Sequence, residues 1–183
     1  MTDKKAFTIP FVGLKQGEHR FDYQIGNTFF ESREEGVVHQ EFNNVQVNAE
    51  AVLTKKSNSL EFDFNINGSV NVNCDLTNEP FDQPIDGTHK LVVNFGESFN
   101  DDDESLLVVP HGTYEIDIQH FFYELIVLSV PQKRIHPGVE DGTLDSEILD
   151  KLEELSPKDT KQKPEGESTD PRWDKLKNLL TDK

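Results

Sequence analysis

Between residues 45 and 66 the chain alternates apolar and polar positions almost without interruption. Val45, Val47, Ala49, Ala51 and Leu53 share one face; after Lys55-Lys56-Ser57-Asn58, the residues Leu60, Phe62, Phe64 and Ile66 return on the same period. A period of two places alternate side chains on opposite faces of an extended chain, so this pattern predicts two half-buried strands joined by a hairpin. Asn67-Gly68 follows, a dipeptide suited to a tight primed turn, and predicts a second hairpin leading into Val70, Val72 and Cys74. Residues 6–12 and 20–25 read as earlier strands, the first held at an edge by Pro10 and the second closed by Gly26. Residues 29–35 predict a short helix capped by Gly36. The last strands fall at 91–95 and 106–109, on either side of an acidic loop. Up to Pro110 the pattern is a run of antiparallel strands with one buried face.

The period then changes. In residues 119–130, Phe122, Leu125, Ile126 and Ser129 recur at helical spacing, and Phe121, Leu128 and Val130 widen the apolar stripe; Pro131 ends the element. Residues 146–155 predict a second helix, with Ile148, Leu149, Leu152 and Leu155 on one side and Asp145 or Ser146 as its cap. Residues 157–168 hold Lys, Pro, Gly, Glu and Thr without a large apolar side chain and read as a flexible linker. Asp170-Pro171-Arg172-Trp173 then opens a short helix: Asp170 suits the cap, Pro171 the first helical position, and Trp173, Leu176, Leu179 and Leu180 form a narrow stripe. So short a helix is marginal in water and needs a surface, either its own domain or a partner.

The expected fold is α+β: an antiparallel β-sheet or a partly closed barrel packed by a helix, with a flexible acidic C-terminal region and a short terminal helix. Pattern alone leaves sheet and barrel both open. The expected division is a β-rich domain over 1–140 containing the buried helix 119–130, an acidic amphipathic helix over 141–156, a linker over 157–169 and a terminal helical motif over 170–183.

Composition narrows the function. The 183 residues carry a net charge of −17, and the sequence pI is about 4.6. The charge is uneven: net −6 over residues 1–95, −12 over 96–155 and +1 over 156–183. A chain that grips nucleic acid by its phosphates shows a basic patch, and one that binds anionic lipid shows basic clusters; this chain shows neither. Its field favours encounter with basic partners. One cysteine permits neither an intrachain disulfide nor a multi-cysteine zinc site. The opening Met1-Thr2-Asp3-Lys4-Lys5 lacks the apolar core of a signal peptide, and no apolar run reaches membrane-spanning length. The expectation is a soluble cytoplasmic protein with no membrane partner.

Candidate chemistry is sparse. Asp101-Asp102-Asp103-Glu104 offers oxygen ligands but lacks the spacing of a calcium loop, so it reads as a solvated acidic loop. The six histidines form no metal-binding pair. Cys74 continues the face of Val70 and Val72 and reads as a small core residue, with Asp75 beside it opposing thiolate formation. Phosphate loops, nucleophile elbows and dinucleotide fingerprints do not occur. No catalytic residue, cofactor or metal ligand is assigned.

Three short segments go beyond generic packing. The first runs Ile66-Asn67-Gly68-Ser69-Val70-Asn71-Val72-Asn73-Cys74-Asp75-Leu76-Thr77-Asn78-Glu79-Pro80-Phe81. The second runs Glu124-Leu125-Ile126-Val127-Leu128-Ser129-Val130-Pro131, followed by His136-Pro137. The third is Asp170-Pro171-Arg172-Trp173-Asp174-Lys175-Leu176. In this order they resemble the signatures of the YceD-like family, the large ribosomal RNA subunit accumulation proteins. The resemblance singles out Gly68, Cys74, Asp75, Glu124, Leu128, Pro131, His136, Asp170, Pro171, Arg172, Trp173 and Leu176 as motif or interaction residues. It implies a non-enzymatic role in accumulation of 23S-type ribosomal RNA, through processing or ribosome assembly. Many members of that family carry a second cysteine three residues after the first, a metal or redox pair; here that position is Thr77.

With the charge balance, the expected partners are basic ribosomal proteins or RNA-processing and assembly factors, with weak or no direct RNA binding by the chain alone. The alternatives are a metal-dependent nuclease built on the acidic run, which needs carboxylates held rigidly, and a small-molecule-binding β-sheet domain.

Overall fold

The computed structural model describes residues 6–31, 42–144 and 147–156. The chain divides into two units, Met1–Ser146 and Glu147–Lys183.

The first unit is organised by three long neighbouring strands. β3 (Asn44–Lys55), β4 (Ser59–Asn73) and β5 (Pro80–Gly96) pair antiparallel at the centre of a six-stranded sheet. β2 (Gly17–Ile25) flanks β3 at one edge; β7 (Leu106–Pro110) and β6 (Asn100–Asp103) complete the order β2-β3-β4-β5-β7-β6. The registers Val47↔Gly68, Ala51↔Phe64 and Leu53↔Phe62 put the alternating apolar sets of β3 and β4 on one face, as their period demands. Asn–Asp pairs such as Asn67↔Asp86 and Asn71↔Asp82 occupy the other face.

The buried face is covered by the remaining elements. β1 (Thr8–Pro10) and β8 (Glu115–Asp117) form a separate two-stranded antiparallel ribbon, with Ile9 and Ile116 facing the core. α1 (Asn27–Glu31) contributes Phe29 and Phe30, and α2 (Gln119–Ser129) packs on β4 and β5 through Phe122 and Ile126. Rings of Phe7, Tyr23, Phe29, Phe64 and Phe122 interlock at centroid distances of 4.9–6.2 Å between contacting pairs. The Lys55 ammonium donates to the carbonyls of Phe11 and Leu14 at 2.7 and 2.8 Å, tying the loop after β1 to the sheet.

The α+β class stands, and the sheet is open rather than closed into a barrel. Three expectations are corrected. Asn67-Gly68 is not a hairpin turn: both lie inside β4, where a Cβ on Gly68 would sit 2.1 Å from the Gln46 carbonyl oxygen. This glycine serves close backbone approach rather than chain reversal. The strands are not all antiparallel, because β7 runs parallel to β5. The acidic run 101–104 is not wholly a loop. Asp101–Asp103 belong to edge strand β6, paired antiparallel with β7, and all four β6 residues are exposed. Charge on an exposed edge discourages further strand addition.

β5 is also longer than its alternation suggests. Pro84 lies in the half of β5 before Val92, where β7 pairing begins, so the ring blocks no ladder bond on that side. Its Gly87 forms a notch beneath α2: a Cβ there would meet Ser129 Oγ at 2.3 Å and Leu125 Cδ1 at 3.1 Å. In the second unit, α4 (Glu147–Leu155) has the expected helical form, with Ile148, Leu152 and Leu155 exposed. Gly36 and the caps Asp145 and Ser146 lie outside the described residues, as do the linker and the terminal helix.

Candidate functional site

Among the described motif residues, the turn between β4 and β5 holds a dense polar network. Cys74 closes it at one end, donating its N–H to the Glu79 carbonyl at 2.8 Å, while the Asn78 N–H returns to the Cys74 carbonyl at 2.8 Å. Asn78 adopts φ 59°, the left-handed conformation that asparagine tolerates and that folds the chain back into β5. Thr77 is 4% exposed, and its hydroxyl accepts the Glu79 N–H at 3.4 Å.

A loop far along the chain is fastened to this turn. The segment after α2 donates its Arg134 N–H to Asp75 Oδ2 at 2.7 Å and its guanidinium to Oδ1 at 3.1 Å, while the Asp75 N–H donates back to the Arg134 carbonyl at 2.8 Å. Two residues on, the His136 N–H points at Cys74 Sγ at 3.3 Å. His136 then caps α3 (Pro137–Glu140): its Nδ1 accepts the Gly138 N–H at 2.9 Å, and its ring packs edge-on to Phe81 at 5.4 Å. Pro137 suits the first helical position. Four polar contacts thus join residues about sixty apart in sequence, and they orient the loop leaving α2.

The electrostatics follow from this geometry. The Arg134 N–H above all holds the Asp75 carboxyl below the usual carboxylate range; burial opposes it, and the Arg134 guanidinium adds to the lowering. At Cys74, burial pushes the thiol up. Donation from the His136 N–H, the Thr77 hydroxyl and the amides of Thr77 and Leu76 outweighs it and brings the thiol down to about 7. The residue is 2% exposed and directly follows the end of β4. Asp75 therefore does not oppose the thiolate as its adjacency suggests, because its charge is already engaged by Arg134.

Of the singled-out residues, the structure brings Cys74, Asp75 and His136 together. Gly68 lies within β4, apart from them. Glu124 and Leu128 are exposed on α2: Leu128 is 80% exposed, and Glu124 pairs with His120 Nε2 at 2.9 Å. Pro131 is exposed just beyond the helix. Asp170, Pro171, Arg172, Trp173 and Leu176 lie outside the described residues. Sequence reasoning missed Arg134, and it noted Thr77 only as the position of an absent second cysteine. Arg134 carried a signal, being one of three bases in the 96–155 segment, where charge balance favours an acidic contact.

Among the described residues, no three His, Cys, Asp or Glu side chains gather as a metal site. Thr77 presents a hydroxyl where a paired-cysteine site needs its second thiolate, so the residues at this turn do not fit such a pair. No described helix is long and apolar enough to cross a membrane.

A second feature lies between α2, β8 and the β7–β6 edge. A groove of about 630 Å³ opens there. Leu107, Val109 and Ile116 form its floor, and His120, Phe121 and Glu124 of α2 form one wall.

The family model described as Large ribosomal RNA subunit accumulation protein YceD matches residues 62–180. That span takes in all three motif segments. No curated protein and no solved structure matches the chain.

Proposed function

Because this chain belongs to the YceD family of large ribosomal RNA subunit accumulation proteins, we propose that it supports accumulation of the large-subunit RNA as a non-enzymatic factor acting through protein contacts. The family match over residues 62–180 carries the role. Charge supports the mode of action: a chain of net −17, with −12 concentrated in residues 96–155, repels phosphates and attracts basic proteins. The partner class is a basic ribosomal protein or a processing or assembly factor. The Cys74–His136 junction has a structural part, fixing the loop that leaves α2 to the end of the sheet.

The test is a tagged pull-down from ribosome-containing lysate with and without nuclease. Contacts made through protein persist after the RNA is digested; association lost with the RNA contradicts the reading. Purified chain should bind naked ribosomal RNA fragments no tighter than about 10⁻⁴ M at physiological salt.

A further inference from the structure

The groove beside α2 has two chemistries in one place. Its floor is apolar, and at its mouth Phe99 is 58% exposed. Its rim is acidic: Asp101, Asp102, Asp103 and Glu104 come from β6 and its turn, Glu115 and Asp117 flank Ile116 on β8, and Glu124 stands on α2. Acidic residues from three elements separated in sequence therefore line one groove with an apolar floor.

We propose that this groove is the docking site for a partner protein's segment that bears lysine or arginine beside an apolar anchor. The inference rests on the protein-contact reading above and adds where the contact is made. The apolar floor favours burial of a leucine-like or aromatic side chain, and the rim favours the cations flanking it. At physiological ionic strength, charges act over roughly 8 Å, so acids around one groove repel each other until a cation enters. The same rim repels RNA and anionic lipid. A hydrated metal ion gains nothing from the floor. Four of the acids already have local partners: Asp102 accepts the Asn100 amide at 2.8 Å, Asp103 the Ser105 N–H at 2.8 Å and Asp117 the Gln119 N–H at 2.9 Å, while Glu124 pairs with His120 at 2.9 Å. The groove volume of about 630 Å³ lies within the range that buries a compact ligand.

The test uses the full chain and a short fluorescent peptide with leucine and lysine at helical spacing, read by anisotropy at physiological salt. Comparison peptides replace lysine by glutamate or leucine by serine. We expect the Leu/Lys peptide to bind at least tenfold tighter than either comparator. Glu115→Lys with Asp117→Lys should weaken binding about tenfold or more, and Phe99→Ala several-fold. Asp22→Lys with Asp86→Lys changes net charge equally on the polar face of the sheet and should leave affinity within twofold. Equal weakening by both double variants assigns the attraction to overall charge and overturns the proposal. So does an unchanged affinity in the groove variant, or a dimer of the free chain that Phe99→Ala dissociates. Ribosomal RNA levels in cells carrying the same variants are read separately. Groove variants that lose the peptide yet restore RNA levels remove the groove from the function and leave the family role standing. A gene deletion without effect on RNA levels sinks the functional reading and leaves the peptide result intact.

Discussion

Replacing Gly68 by alanine tests whether this residue is a turn or a packing contact. The new Cβ would lie 2.1 Å from the Gln46 carbonyl oxygen, 2.7 Å from Val47 Cα and 3.0 Å from the Gln46 carbonyl carbon. All three are backbone atoms of β3, so no side chain can rotate out of the way. β3 is held on both sides, by β2 through Ile25↔Val47 and by β4 through Val47↔Gly68. Restoring ordinary contact requires the strand to move by more than about 1 Å, which disrupts both ladders. Overpacking of a rigid site costs about 1–3 kcal/mol and sometimes more, and a site walled by backbone belongs at or above the upper end. At about 3 kcal/mol, and roughly 2–4 °C per kcal/mol for a chain of this size, Tm falls by about 6–12 °C. Gly13→Ala is the control, since no atom lies within 4 Å of its Cβ. Thermal melts by circular dichroism read both variants. A Gly68→Ala loss below about 2 °C, or one matched by Gly13→Ala, refutes the reasoning.

Other outcomes follow from the same structure. The Cys74 thiol should titrate near 7 by thiolate absorbance, against 9.0 for the free group. A lowered pKa means the unfolded chain binds more protons between those values, so this contribution to stability grows as pH rises from 7 to 9 and is lost as pH falls through 7. Cys74→Ser should flatten that slope, and an unchanged slope contradicts the thiolate. Elemental analysis should find well under one zinc per chain, and EDTA should leave Tm unchanged; zinc surviving dialysis at one per chain reopens metal chemistry. A chain cut after Ser156 should melt cooperatively yet fail to restore large-subunit RNA in deletion cells, as should Trp173→Ala with Leu176→Ala. Full complementation by the cut chain makes the terminal motif dispensable.

Legibility in the sequence depended on whether the cause was local. The strands containing Val45–Leu53 and Leu60–Ile66 were readable because one buried face imposes a period of two, and the structure pairs them as Leu53↔Phe62 and Ala51↔Phe64. α2 was readable from Phe122 and Ile126, both fully buried. Gly68 was misread because a local turn signal and a need for close backbone approach select the same residue. β5 was obscured by Pro84 and Gly87, whose tolerance depends on a free strand edge and on a helix packed above. The Asp75–Arg134 pair spans 59 residues of sequence, and no period or motif spacing encodes a contact of that separation.

The measurement that bears most directly on the central claim is the ratio of large-subunit to small-subunit ribosomal RNA in cells lacking the gene, with the full chain supplied in trans. The account predicts that the large-subunit species falls relative to the small in the deletion and recovers with the full chain. An unchanged ratio in the deletion, measured in the same growth phase, contradicts it.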